Sequence, residues 1–170
     1  MKTLLPLGLL LAVPAQAQDA QVYHASATWP VHASGAACTL VQAAPAAGSV
    51  LSVSYDGAEV TLTSTAEVES ELPRSGKLPL TIVFLENGDV DYDDGWGARE
   101  FSYDGNGRIY RFSARFSGER NVRQILSDLT ESRKIGLLQN GQAIMAYELE
   151  GIDGSVAELR NCAARTVAAN

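Results

Sequence analysis

The sequence predicts an α+β domain that is mostly β, either an antiparallel β-sandwich or a strongly bent antiparallel sheet, with two short helices packed on one side or one end. Apolar and polar residues alternate in many short segments, which is typical of strands with one buried face. Tight glycine turns join neighbouring segments, and no strand-helix-strand crossover repeats along the chain. Both observations favour antiparallel pairing of about nine short strands.

The first third of the chain contains four predicted strands. Gln21 to Pro30 alternates loosely and ends at a proline, which predicts an edge strand. Cys38 to Gln42 predicts a second short strand. Asp56-Gly57 has the composition of a hairpin turn between Leu51 to Tyr55 and Val60 to Leu62.

The middle of the chain predicts a central strand followed by a return strand. Glu67 to Lys77 has no apolar period and is interpreted as a solvated connection. Leu78 to Leu85 is almost continuously apolar, which predicts a strand covered on both faces. Asn87-Gly88 then turns the chain, and Val90 to Tyr92 alternates on the way back.

Two further strands and the first helix follow. Glu100 to Tyr103 predicts a strand, Asp104 to Gly107 a turn, and Arg108 to Phe116 an alternating strand with its aromatic side facing the core. From Glu119 onward, the apolar residues recur with the period of an α-helix. Four apolar residues then fall at i, i+3, i+4 and i+7 and define the buried face: Val122, Ile125, Leu126 and Leu129.

The last part of the chain predicts a hairpin and a terminal helix. Asn140-Gly141 suits a type I′ turn between Ile135 to Leu138 and Ala143 to Leu149. Ser155 and Glu158 have the spacing of a capping box, which predicts a helix that begins at Ser155 and ends near Cys162.

Residues 1–17 have the features of a secretory signal peptide. Lys2 gives a positive start, Thr3 to Val13 is an apolar run, and Ala15-Gln16-Ala17 suits signal peptidase. The run is too short for a transmembrane helix, and we expect no transmembrane segment. We therefore expect residues 18–170 to form a single exported domain, periplasmic or fully secreted, with cleavage after Ala17.

Charge and cysteine content describe this exported domain further. Without Lys2 the chain keeps twelve basic and twenty acidic side chains, a formal charge of −8, which argues against nucleic acid as a partner. Cys38 and Cys162 are its two cysteines. Because the chain is expected to be exported, one disulfide between them is the simplest prediction, and two free buried thiols are the alternative.

Acidic residues around Asp89 suggest a calcium site. Asp89, Asp91, Asp93 and Glu100 fall at positions 1, 3, 5 and 12 of an EF-hand-like loop. The flanking segments read as strands, however, and Asp94 occupies the position where an EF-hand needs glycine. The competing interpretation is that these aspartates form the solvent side of a strand. No other cofactor is expected.

An arginine-rich strand follows this acidic segment. The stretch from Arg108 to Arg123 has five arginines and one glutamate, whereas Glu86 to Asp104 has seven acids and one arginine. Cross-strand ion pairs between the two segments explain this pattern most simply. The functional alternative is that Arg111 and Arg115, on one strand face, bind an anionic ligand or a protein partner.

Common catalytic motifs do not occur in the sequence. The chain has only two histidines, His24 and His32, and the usual hydrolase, zinc-protease, redox and nucleotide-binding strings are missing. We therefore favour a non-enzymatic exported domain that binds an envelope or host protein. The alternatives are a small-ligand or calcium-binding β-sandwich protein and a hydrolase without a recognisable motif.

Segments at both ends of the chain resemble one family of exported bacterial proteins. These are Trp29-x-Val31, Cys38-Thr-Leu-Val-Gln42 and Tyr147-Glu-Leu-Glu-Gly151, the last followed by a short alanine- and leucine-containing helix. Together they resemble the invasion-associated locus B type of small periplasmic proteins. The chain departs from that pattern because no cysteine lies close after Trp29. The resemblance implies an envelope or host-contact role and supplies no catalytic residue.

Overall fold

A computed structural model describes residues 21–42, 49–68, 72–85 and 96–168. Within them the chain forms one antiparallel sheet of ten strands that does not close, with two helices, so the α+β, mostly β prediction is confirmed. The elements follow in chain order: β1 (Gln21–His24), β2 (Val31–Ser34), β3 (Ala37–Val41), β4 (Val50–Tyr55), β5 (Glu59–Glu67), β6 (Ser75–Leu85), β7 (Ala98–Asn106), β8 (Ile109–Ser117), α1 (Glu119–Glu131), β9 (Lys134–Gln139), β10 (Gln142–Glu148) and α2 (Ile152–Ala168).

The sheet has the strand order β1-β2-β3-β4-β5-β8-β7-β6-β9-β10. Of the two architectures that the sequence left open, the single bent sheet is therefore the observed one. Inward-facing residues of β5 and β10, five places apart in this order, meet across the core, where Ser64 and Tyr147 share a hydrogen bond between hydroxyl groups. Such a contact requires a strongly curved sheet.

The core lies between the inner face of this curved sheet and the two helices. One continuous apolar cluster joins residues of β2 to β10 with both helices. Four residues of α1 are buried in it, in the predicted pattern: Val122, Ile125, Leu126 and Leu129. The amphipathic period therefore identified both the helix and its packed face.

Several strand boundaries differ from the sequence prediction. The predicted edge strand from Gln21 to Pro30 is confined to β1, and a second strand, β2, starts directly after Pro30. The predicted connection from Glu67 to Lys77 contains the end of β5 and the start of β6. Polar residues form these strand ends because their backbone groups pair with β7 and β8 even where no side chain is buried.

The C-terminal helix is longer than predicted and begins earlier. It runs over 17 residues from Ile152, after Gly151 turns the chain at a φ of 75°. Ser155 lies inside this helix and is buried, so the predicted capping box at Ser155 and Glu158 was wrong. Burial of Ile152 and Val156 against the sheet decides the helix start, because packing outweighs a local capping preference.

Turn predictions were accurate where the backbone requires a left-handed conformation. Asn140 and Gly141 have φ values of 52° and 79°, as a type I′ turn between β9 and β10 requires. In the β4–β5 hairpin, Asp56 accepts hydrogen bonds from the backbone N–H groups of Ala58 and Glu59 at 2.9 and 2.8 Å. The bond from Glu59 contributes most to lowering the pKa of the Asp56 carboxyl below its usual 3.8.

Both edge strands of the sheet are interrupted by β-bulges. The register of β1 shifts between Val22 and His24, and that of β10 shifts between Ala143 and Met145. Bulges twist an edge strand and disfavour its pairing with another chain.

No helix in the described part of the chain is long and apolar enough to cross a membrane.

Candidate functional site

The disulfide is the one predicted site that the structure forms as expected. Cys38 in β3 and Cys162 in α2 are bonded, with their Cα atoms 6.1 Å apart, and both are fully buried. Thr166, one turn further along α2, donates its hydroxyl most closely to the carbonyl oxygen of Ala163 in the same helix, at 2.9 Å, and lies 3.4 Å from that of Ala36. The C-terminal helix is therefore fixed to the hairpin of β2 and β3 by a covalent bond.

Arg111 and Arg115 lie on the outer face of β8, opposite the core. Arg115 forms an ion pair with Glu59 of β5 at 3.6 Å, and Arg111 lies opposite Asp104 of β7 in the strand register. Four residues along a strand span about 13 Å. Arginine side chains are long enough to converge across this spacing, so the arrangement suits either one anion or an extended partner surface.

The proposed calcium ligands fall into two groups. Asp89, Asp91 and Asp93 lie outside the described residues, so their arrangement stays a prediction. Glu100 lies on the outer face of β7 and forms an ion pair with Lys77 at 2.6 Å, with both side chains mostly exposed. Among the described residues, no group of three or more histidine, cysteine, aspartate or glutamate side chains is arranged to hold a metal ion.

The two histidines lie in neighbouring strands at one edge of the sheet. His24 is the last residue of β1, and His32 is in β2, where it pairs with Val22. Within the described ranges, neither histidine has a carboxylate oxygen within 4.0 Å.

A cleft of about 600 Å³ lies where the β4–β5 hairpin, the end of β8, the start of α1 and the side of α2 meet. We call it the α1 cleft. Its apolar lining comes from Tyr55, Val122 and Leu126, and its polar lining includes Ser117 at the end of β8. The volume falls in the range of about 300–1,000 Å³ that is usual for ligand sites. The lining is mixed, because Glu59, Ser117, Glu119, Arg123 and Arg160 stand beside the apolar residues.

Charges of both signs surround the α1 cleft. Glu59 and Glu119 each form an ion pair, with Arg115 at 3.6 Å and with Arg123 at 3.7 Å. Arg160 of α2 also lines the cleft, and no carboxylate of the described residues lies within 4.0 Å of it. The cleft therefore offers one guanidinium group beside an apolar floor.

Local sequence explains how the chain opens this cleft at the start of α1. Gly118 precedes the helix with a φ of 85°, a conformation that suits glycine, and its carbonyl oxygen accepts the N–H of Val122 at 3.0 Å. Asn121 donates its side-chain amide to the carbonyl oxygen of Ser117 at 3.0 Å. Without a side chain at residue 118, the space between β8 and the first helical turn stays open.

A second polar cluster lies near the other end of α1. The indole N–H of Trp96 donates to Asp128 at 2.6 Å, the Trp96 ring meets Phe116 edge to face, and the Arg99 guanidinium lies 5.4 Å from the centre of the same ring. Burial raises the pKa of the Asp128 carboxyl above its usual 3.8, and the nearby charge of Glu131 adds to this, whereas the Trp96 hydrogen bond lowers it.

Asp128→Asn should therefore change how stability depends on pH. A carboxyl whose pKa is raised in the folded state contributes stability below its unfolded pKa of 3.8, and this contribution is lost as the pH rises through the folded pKa. The asparagine oxygen can still accept the Trp96 N–H. We expect the stability of the variant relative to wild type to increase from pH 3.5 to pH 7, measured by urea unfolding. Glu119→Gln is the control, and a constant difference for Asp128→Asn would contradict the prediction.

Sequence patterns alone did not reveal the α1 cleft. The hairpin at Asp56-Gly57 and the start of α1 were each predicted, but nothing in the sequence indicated that Ser117 and Arg160 would face one space. An exposed arginine on a helix carries no signal that distinguishes a site residue from a solvated one.

No protein-family model, curated protein or solved structure matches this chain.

Proposed function

We propose that this chain is an exported, non-enzymatic domain that binds an envelope or host protein partner, and that the α1 cleft receives an apolar side chain of that partner. The observation that carries the proposal is the α1 cleft itself, with its apolar floor between the β4–β5 hairpin and α1. Pockets of this kind hold anchor side chains in protein interfaces. The predicted signal peptide and the buried disulfide between Cys38 and Cys162 support export.

The charges of the cleft suggest what lies beside the anchor side chain. Arg160 faces the apolar floor without an ion pair from the described residues, while the other charges of the rim have partners. We expect a partner segment with an apolar residue next to a carboxylate, because a guanidinium group forms strong, directional hydrogen bonds with a carboxylate. Arg111 and Arg115 lie on the outer face of β8 beside the cleft, where Arg115 pairs with Glu59 of the rim, and would add a second, peripheral contact.

A blocking substitution tests the cleft without altering the core. Ser117→Trp places an indole at an exposed position that lines the α1 cleft, and Gln142→Trp places the same group at an exposed position of the edge strand β10, away from the cleft and from Arg111 and Arg115, as a control. The mature domain is immobilised and exposed to an envelope extract, retained proteins are identified, and binding of each purified partner is then measured by calorimetry. We expect Ser117→Trp to weaken binding about tenfold or more, since a hot-spot pocket contributes at least this much.

Two results would overturn the proposal. One is equal affinity of wild type, Ser117→Trp and Gln142→Trp for the retained partner, and the other is retention of no partner at all. A third variant, Arg111→Glu with Arg115→Glu, tests the outer face separately. If that double variant binds as wild type does, the two arginines have no part in the interface. If a small molecule competes for the cleft, the small-ligand alternative replaces the protein partner.

A further inference from the structure

We draw no further inference here: the strongest candidate, the cavity of about 750 Å³ between the end of α1 and the start of α2, rests on a helix N-terminus and exposed side chains of both charges, and no buried polar group without a hydrogen-bond partner among the described residues lines it.

Discussion

Removal of the disulfide should lower the melting temperature of the mature domain by several degrees or more while the fold persists. Cys38 and Cys162 are 124 residues apart, and a cross-link closing so long a loop removes roughly 5 kcal/mol of unfolded-state entropy in the chain-entropy model. We expect less in practice because strain and residual structure reduce the effect. The fold should survive because α2 still buries Ile152, Val156 and Leu159 against the sheet.

Calorimetric melting of the oxidised and reduced protein measures this effect directly. Cys162→Ser should show the same decrease with an added cost, because it places a hydroxyl in a fully buried position. The double variant Cys38→Ala with Cys162→Ala avoids both the hydroxyl and a free thiol, and it is the cleaner comparison. An unchanged melting temperature in this variant would mean that the bond contributes nothing to stability.

Trp29→Ala should have the second largest effect, a loss of about 3–5 kcal/mol in the free energy of unfolding. Trp29 is only 1% exposed, and its indole N–H donates to Glu150 across a separation of 121 residues. The substitution therefore leaves a large cavity and a carbonyl group without its donor. Urea unfolding followed by circular dichroism, with no use of tryptophan fluorescence, measures the change.

Trp29→Phe separates the hydrogen bond from the volume of the side chain. It keeps most of the apolar contact and removes the indole N–H, so we expect a smaller loss of about 1–2 kcal/mol. Substitution of the other tryptophan, Trp96→Phe, removes its bond to Asp128 instead and serves as a comparison. A loss below about 1 kcal/mol for Trp29→Ala would show that this side chain does not anchor the start of the sheet.

Local patterns predicted the elements whose signal is contained in a few consecutive residues. The apolar period from Val122 to Leu129 predicted α1 and its buried face, and Asn140-Gly141 predicted a turn that needs positive φ at both residues. Ser155 shows the limit of such signals. Its capping pattern was wrong because burial of the preceding Ile152 extends the helix toward its N-terminus.

The candidate site could not be predicted in the same way, because its members are distant in sequence. Ser117 and Arg160 line the α1 cleft together only after α2 packs beside α1. In the same way, Trp29 and Glu150 meet only because the sheet curves and brings the end of β10 toward the start of β2. The sequence shows the chemical character of each of these residues, but it does not show which residues lie beside it in the fold.

The sequence by itself determined the mostly β class, the antiparallel pairing and the packed face of α1, and it made a bond between its only two cysteines the simplest prediction. Each of these depends on periodicity, turn composition or a count, which are properties of the chain alone. Tertiary structure decided that the strands form one open, curved sheet, where α2 begins, and which polar residues face a shared space. Those outcomes depend on long-range packing, in which burial of apolar surface outweighs local preference.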